Sequence, residues 1–232
     1  MRETLQEVVA AELPPAFVSG IHPLFSRLYI EADAYVRESR LMEEPEHKNL
    51  LPHVRRNFAE KGLRDWASKH GLLTTVEWTK THSAQFTMIC TPRVRLTISK
   101  TTHEWALPET CYFRKTNSAV NDMLVQANLW PVSVPEENDT ERMYAIITHG
   151  PAPKSNALGF VSLGFPRPDM KAWAEPTVSI LDIQERQERM AKPADPMADA
   201  QEQQRTAALK QIVKNIVNEA RDADKDEGGN TA

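Results

Sequence analysis

The stretch RVRLTISK, residues 93–100, decides the reading of the fold. Successive side chains of a strand point to opposite faces. Val94, Leu96 and Ile98 therefore share one side, Arg93, Arg95, Thr97 and Ser99 share the other, and Lys100 closes the run. The segments TTVEWTK (74–80), AQFTMICT (84–91) and TCYFRK (110–115) carry the same period of two and read as further strands. The Thr91-Pro92 pair suits a tight turn, and Pro92 removes one ladder donor. Such short connections predict antiparallel neighbours. MYAIIT (143–148) and LGFVSLGF (158–165) extend the sheet, and VSILDI (178–183) reads as a last strand or the start of a helix.

Upstream of these strands the period changes to that of a helix. Residues 3–12 predict a short helix stopped by Pro14 and Pro15. Residues 23–42 follow, with Leu24, Leu28, Ala32, Tyr35 and Val36 near a 3.6-residue spacing. Residues 48–69 form the next helix, with Gly71 placed to stop it. A further helix, NSAVNDMLVQANL (117–129), is inserted among the strands, capped by Asn117 or Ser118. Helices first, then a mostly antiparallel sheet with one inserted helix, predict an α+β core over residues 1–191, helical in 1–70 and sheet-bearing in 72–183. A Pro-containing linker (192–199) leads to an amphipathic helix over 200–223 and a polar, disordered tail over 224–232.

Charge is distributed unevenly along the 232 residues, whose net charge is −4. Lys+Arg against Asp+Glu is 4 to 9 in residues 1–46, 12 to 5 in 47–118, 4 to 7 in 119–181 and 8 to 11 in 182–232. The second of these segments also holds His47, His53, His70, His82 and His103. A basic, His-rich segment is a candidate polyanion-binding surface. Arg55 and Arg56 from the helix HVRRNFAEKGLRDWASKHG, with Arg93, Arg95, Lys100, Arg114 and Lys115 from the strands, are the residue types that satisfy phosphate oxygens in DNA or RNA. Trp78 or Trp105 would offer a stacking surface. The competing reading is that these cations are neutralised by the acidic N-terminal helices.

Motifs for catalysis and cofactors are absent from the sequence. There is no His-Glu-x-x-His, no paired Cys-x-x-Cys, no calcium loop, no Walker loop and no Gly-x-Ser-x-Gly. VEWTK has Glu77 and Lys80 at a spacing that puts them on opposite faces of a strand, unlike a metal-dependent nuclease. Cys90 and Cys111 read as reduced, isolated thiols. No cofactor or metal is expected. A metal-independent ribonuclease would need only His82 or His103 beside Arg95 and Arg114.

No apolar run approaches the roughly 20 residues of a membrane helix, and the N-terminus lacks a signal core, so the expected location is cytoplasmic. The stripe Leu209, Ile212, Val213, Ile216 and Val217 predicts docking on the chain's own core, or a contact with a protein partner or a second copy. The leading expectation is a non-catalytic accessory, regulatory or defence-type protein that binds nucleic acid or a partner. The ribonuclease and a purely self-assembling structural subunit stand as alternatives.

Overall fold

The computed structural model describes residues 4–39, 44–79, 84–122, 124 and 142–191. Residues Met1–Arg189 form one compact unit, and Met190–Ala232 form a second, of which only Met190 and Ala191 are described. The fold is α+β. Helices α1 (Leu5–Glu12), α2 (Pro15–Arg37) and α3 (Glu44–Lys69) precede strands β1 (Leu73–Trp78), β2 (Gln85–Cys90) and β3 (Val94–Lys100). Helix α4 (Tyr112–Ser118) and a 3-10 turn (Ala119–Asn121) follow. Strands β4 (Met143–Pro151), β5 (Leu158–Gly164) and β6 (Val178–Ser179) complete the sheet, and α5 (Ile180–Ala191) ends the described chain. The strands lie in sequence order, and every pairing is antiparallel except β3 with β4, which is parallel. The parallel pair is joined by the long connection that carries α4, as a parallel crossover requires.

Capping and proline placement account for the helix boundaries. Thr4 and Glu7 close a capping box on α1, the Glu7 amide donating to Thr4 Oγ1 and the Thr4 amide to Glu7 Oε2. Pro14 and Pro15 end α1, but Pro15 also opens α2 at its first turn, where a missing N–H costs nothing. The second helix thus begins well before residue 23 and passes through Pro23. The third begins at Glu44 and carries Pro52 within it. Gly71 adopts φ 77° after α3, and Leu72 N–H donates to Ala67 O at 3.0 Å, the closing bond of a Schellman stop. Helices α2 and α3 approach closely enough that a Cβ at Gly20 would collide with the Trp66 ring, and one at Gly62 with Leu28. The α1 C-terminus takes its donor from α5: Gln187 Nε2 bonds Ala10 O at 2.8 Å and Leu13 O at 2.6 Å.

One face of the sheet carries the main core. Leu96 and Ile98 of β3, Met143, Ala145 and Ile147 of β4, and Val161 and Leu163 of β5 pack against Phe17, Ile21 and Phe25 of α2 and Leu63 of α3. Each fully buried aromatic contributes on the order of 2–3 kcal/mol by leaving water. The opposite face is covered as well. Tyr144 and Ile146 pack with Met170, Val120 and Trp173, and Thr97 Oγ1 meets Tyr144 OH at 2.6 Å.

The segment TCYFRK does not form a strand. Cys111 precedes the first turn of α4, and Tyr112–Ser118 is helical. Phe113 stacks on Phe86 of β2 with ring centroids 4.1 Å apart, and Arg114 reaches Ser99 Oγ at 2.9 Å and Glu109 O at 2.6 Å. Six alternating residues fit a strand, but here the alternation arises from a helix laid across the sheet.

Two side chains substitute for absent strand neighbours. Strands β2 and β3 pair only at Ile89 with Leu96 and at Cys90 with Arg95, then separate. Beyond that point Thr87 N–H donates to Glu60 Oε2 at 2.8 Å. Burial raises the Glu60 pKa, against the opposing effects of the Thr87 hydrogen bonds, Arg56 and Arg114. On β4, Asn121 takes the place of a neighbour at Tyr144: the Tyr144 amide donates to Asn121 Oδ1, and Asn121 Nδ2 donates to Tyr144 O, both at 2.8 Å.

Two stability outcomes follow. Asn121→Ala leaves both buried Tyr144 backbone groups without the Asn121 partner, so urea unfolding should show a loss of roughly 2–6 kcal/mol, at about 1–3 kcal/mol per unsatisfied group. Glu60→Gln keeps an acceptor for Thr87 and removes the buried charge. Because the native Glu60 pKa is raised, the wild type loses stability relative to the Gln variant as pH climbs from the ordinary carboxylate value through the raised one. Thermal melts should show the variant ahead at pH 8 and the gap closing at pH 4; a gap independent of pH would refute this role of burial.

Candidate functional site: a basic cleft over a buried Tyr-His pair

The described residues enclose a cleft of about 510 Å³ between the end of α2, the first half of α3 and the β4–β5 loop. Asp33, Val36 and Arg37 come from α2, and Asn156 comes from the loop. Helix α3 supplies His47, Lys48, Leu51, Pro52 and Arg55. The spacing 48, 51–52, 55 places its cationic and apolar contributors on one helix face.

Arg55 is the centre of the arrangement. It is 5% exposed, a rare environment for an arginine. Its Nη2 donates to Asn156 O at 2.7 Å, and its guanidinium lies 4.8 Å above the Tyr29 ring. Its Nε is buried without a hydrogen-bond partner among the described residues, as is His47 Nε2. The nearby carboxylate, Asp33, is already engaged: Arg37 Nε lies 2.7 Å from one oxygen, and Asn156 Nδ2 donates to the other at 2.9 Å. Burial lowers the Arg55 pKa while Tyr29 and Asp33 act to raise it; a guanidinium keeps its charge in such a setting.

Behind Arg55 lies a buried polar pair. Tyr29 OH meets His149 Nδ1 at 2.8 Å, with Phe25 packed against the imidazole at 5.1 Å between centroids. Burial, reinforced by Lys100 and Arg55, holds the His149 pKa down to about 3. Burial pushes the Tyr29 pKa well above its ordinary value. Near neutral pH both groups are therefore uncharged, and the hydroxyl donates to Nδ1 when the ring carries its hydrogen on Nε2. Lys100 stands beside His149 in the β3–β4 register, its pKa lowered first by burial and then by Arg55. Positive charge is thus concentrated at this end of the sheet, with a neutral histidine beneath it.

The basic residues singled out in the sequence do not assemble into one sheet surface. Arg55 and Lys100 come together at the cleft end. Arg93 sits at the opposite end of β3, where its amide donates to Glu12 Oε2 at 3.1 Å. Arg95 is half-buried, and its strand neighbours on that face, Thr97 and Ser99, are buried beneath the outer layer. Arg114 is held between Glu109 and Ser99, while Lys115 is exposed on α4. Arg56 is exposed and reaches Gln85 O at 3.5 Å. His103 is exposed in the loop after β3, and Trp78 and Trp105 are exposed without lining the cleft. His82 and the stripe Leu209, Ile212, Val213, Ile216 and Val217 lie outside the described residues. No group of three or more His, Cys, Asp or Glu side chains suited to a metal occurs among the described residues.

Sequence reasoning missed Tyr29, Arg37, Asp33, His149 and Asn156. The last two belong to THGPAPKSNA, which reads as a plain connection; the one signal was a histidine directly following an apolar strand run. No single described helix is long and apolar enough to cross a membrane. No protein-family model matches the chain, and neither the curated proteins nor the solved structures give a match.

The depressed His149 pKa has a definite pH consequence. The unfolded chain binds this proton more readily than the fold does, so His149 makes stability rise with pH between about 3 and 6.5 and leaves it flat above. Tyr29→Phe strands the buried Nδ1 and should cost roughly 1–3 kcal/mol at pH 7. Urea titrations across that pH range check both, and an unchanged midpoint for the variant would show that the pair carries no stabilising hydrogen bond.

Proposed function

We propose that the protein is a non-catalytic, cytoplasmic nucleic-acid-binding protein of accessory or regulatory type, which anchors a phosphate of its ligand in the cleft over Arg55. The observation that carries this reading is Arg55 itself: 5% exposed, with a buried Nε that has no hydrogen-bond partner among the described residues, on the wall of a cleft that also presents Arg37, His47 and Lys48. A buried cation without a dedicated carboxylate is costly unless an anion completes it. Arginine and lysine arrays of this kind bind phosphate oxygens. Lys100, electrostatically coupled to Arg55, extends the positive field beyond the cleft, which favours a ligand with more than one phosphate. The apolar stripe at Leu209, Ile212, Val213, Ile216 and Val217 would supply a separate assembly element.

The Tyr29–His149 pair gives no support to a ribonuclease. A histidine whose pKa lies near 3, already bonded through Nδ1, is a poor proton shuttle at neutral pH.

Fluorescence anisotropy with labelled single-stranded DNA and RNA at several salt concentrations tests the proposal. Affinity should fall steeply with salt, and Lys48→Ala and Arg55→Met should each weaken binding by about tenfold, the loss of one charged contact worth roughly 1.4 kcal/mol. A denaturing gel of the same mixtures should show intact strands. Absence of binding at low salt, or binding untouched by both substitutions, overturns the assignment; cleaved strands would replace it with the ribonuclease.

A further inference from the structure

We infer that the outer edge of β1 pairs with the β1 edge of a second copy, antiparallel about a two-fold axis at Val76, so that two sheets join into one. This surface is separate from the cleft and does not depend on the phosphate-binding reading. β1 is the first strand in the sheet order, and among the described residues it pairs only with β2. None of its six residues is buried. Edge strands exposed in this way are ordinarily blunted by lysine, proline or a bulge. Here the β1–β2 register runs without a shift from Leu73 to Trp78, and LTTVEW contains neither residue type.

Two contacts fix the hydrogen-bond phase of β1. Thr79 N–H donates to Ala84 O at 2.9 Å, continuing the β1–β2 ladder, so Leu73, Thr75 and Glu77 exchange bonds with β2. Thr87, opposite Val76, sends its N–H the other way, to Glu60 Oε2 at 2.8 Å. Thr74 and Val76 therefore direct their backbone N–H and C=O away from β2. An added extended strand is the element that satisfies such a row.

The residues along the edge select a second copy as that strand. Antiparallel self-pairing sets outward residues opposite outward residues, which allows axes at Thr75, Val76 or Glu77. Glu77 is the one ionisable residue of the strand. An axis at Glu77 sets it against the copy's Glu77, and like charges directly opposite are destabilising. An axis at Thr75 carries Trp78 past the end of the copy's β1. The axis at Val76 places Glu77 across from Thr75 and Val76 across from Val76, with each Trp78 diagonal to the other copy's Val76. Val76 and Trp78 lie on the same side of β1 and are 41% and 52% exposed, so this axis lets the two copies cover each other's apolar side chains.

Sedimentation velocity of the full-length protein over a concentration series tests the pairing. The wild type should approach twice the chain mass of 26.3 kDa. Val76→Lys and Val76→Glu should each raise the dimer dissociation constant at least about fivefold, because each sets like charges against one another. An equimolar mixture of the two should return it to within about twofold of the wild type, since Lys then faces Glu. Val76→Pro removes only an outward N–H, so it should leave the far-ultraviolet circular dichroism unchanged and abolish the dimer. A wild type that stays at one chain mass throughout, or a dimer that Val76→Lys and Val76→Pro leave untouched, overturns the inference. Weakening by both charged variants without recovery on mixing overturns the two-fold axis at Val76 and the inference with it.

Discussion

The structure depends on β4 having no solvent face. Eight of its nine residues are buried. Met143, Ala145 and Ile147 point into the helical layer, and Tyr144 and Ile146 point into a second layer built from the 3-10 turn and the 166–173 segment. A central strand covered on both sides determines where charge can go. Any cation on an adjacent strand must reach the sheet's ends, find a hydrogen bond inside, or remain at the margin of a covering helix. Lys100 takes the first route, and Arg114, on the covering helix α4, is held through Ser99 and Glu109. The basic strand therefore does not create a basic sheet.

Much of this was legible in the chain. The helix-then-strand order, Gly71 as a helix stop, the β1–β2–β3 meander and the one inserted helix all follow from periodicity and turn chemistry. The double coverage was also written in the sequence. MYAIIT is a continuous apolar run without alternation, the pattern of a strand buried on both faces. In RVRLTISK the face opposite the core bears Thr97 and Ser99, which are small enough to be buried with their hydroxyls hydrogen-bonded, Thr97 to Tyr144 and Ser99 to Arg114. Alternation alone does not distinguish a solvated polar face from one covered by a polar second layer. TCYFRK exposes the same ambiguity at shorter range: six residues span less than two helical turns, and the stacking of Phe113 on Phe86 decided the outcome.

The candidate site was less legible because its parts are far apart. Tyr29, Arg55, His149 and Asn156 come from three elements and a loop, joined only by tertiary packing. Arg55 could be named from composition, but its burial could not. Neighbouring Arg56 has the same charge and stays exposed, so one position along a helix separates a solvated cation from a buried one. His149 gains its character from Tyr29 and Phe25, which are more than a hundred residues upstream.

The balance of interactions around Arg55 shows why a cleft of this kind persists in a stable fold. The Tyr29 ring and Asn156 O hold the guanidinium in place without neutralising it. A carboxylate in direct contact would stabilise the free protein more, but it would compete with any anion entering the cleft. Asp33 is instead tied to Arg37 and Asn156. His149 completes the design from below. Were it to charge near neutral pH, it would repel Arg55 and Lys100; held neutral by burial and by its bond to Tyr29, it supports them as an aromatic floor. Cation, aromatic ring and neutral base thus lie in sequence behind the cleft wall, with Arg55 the member that lines it.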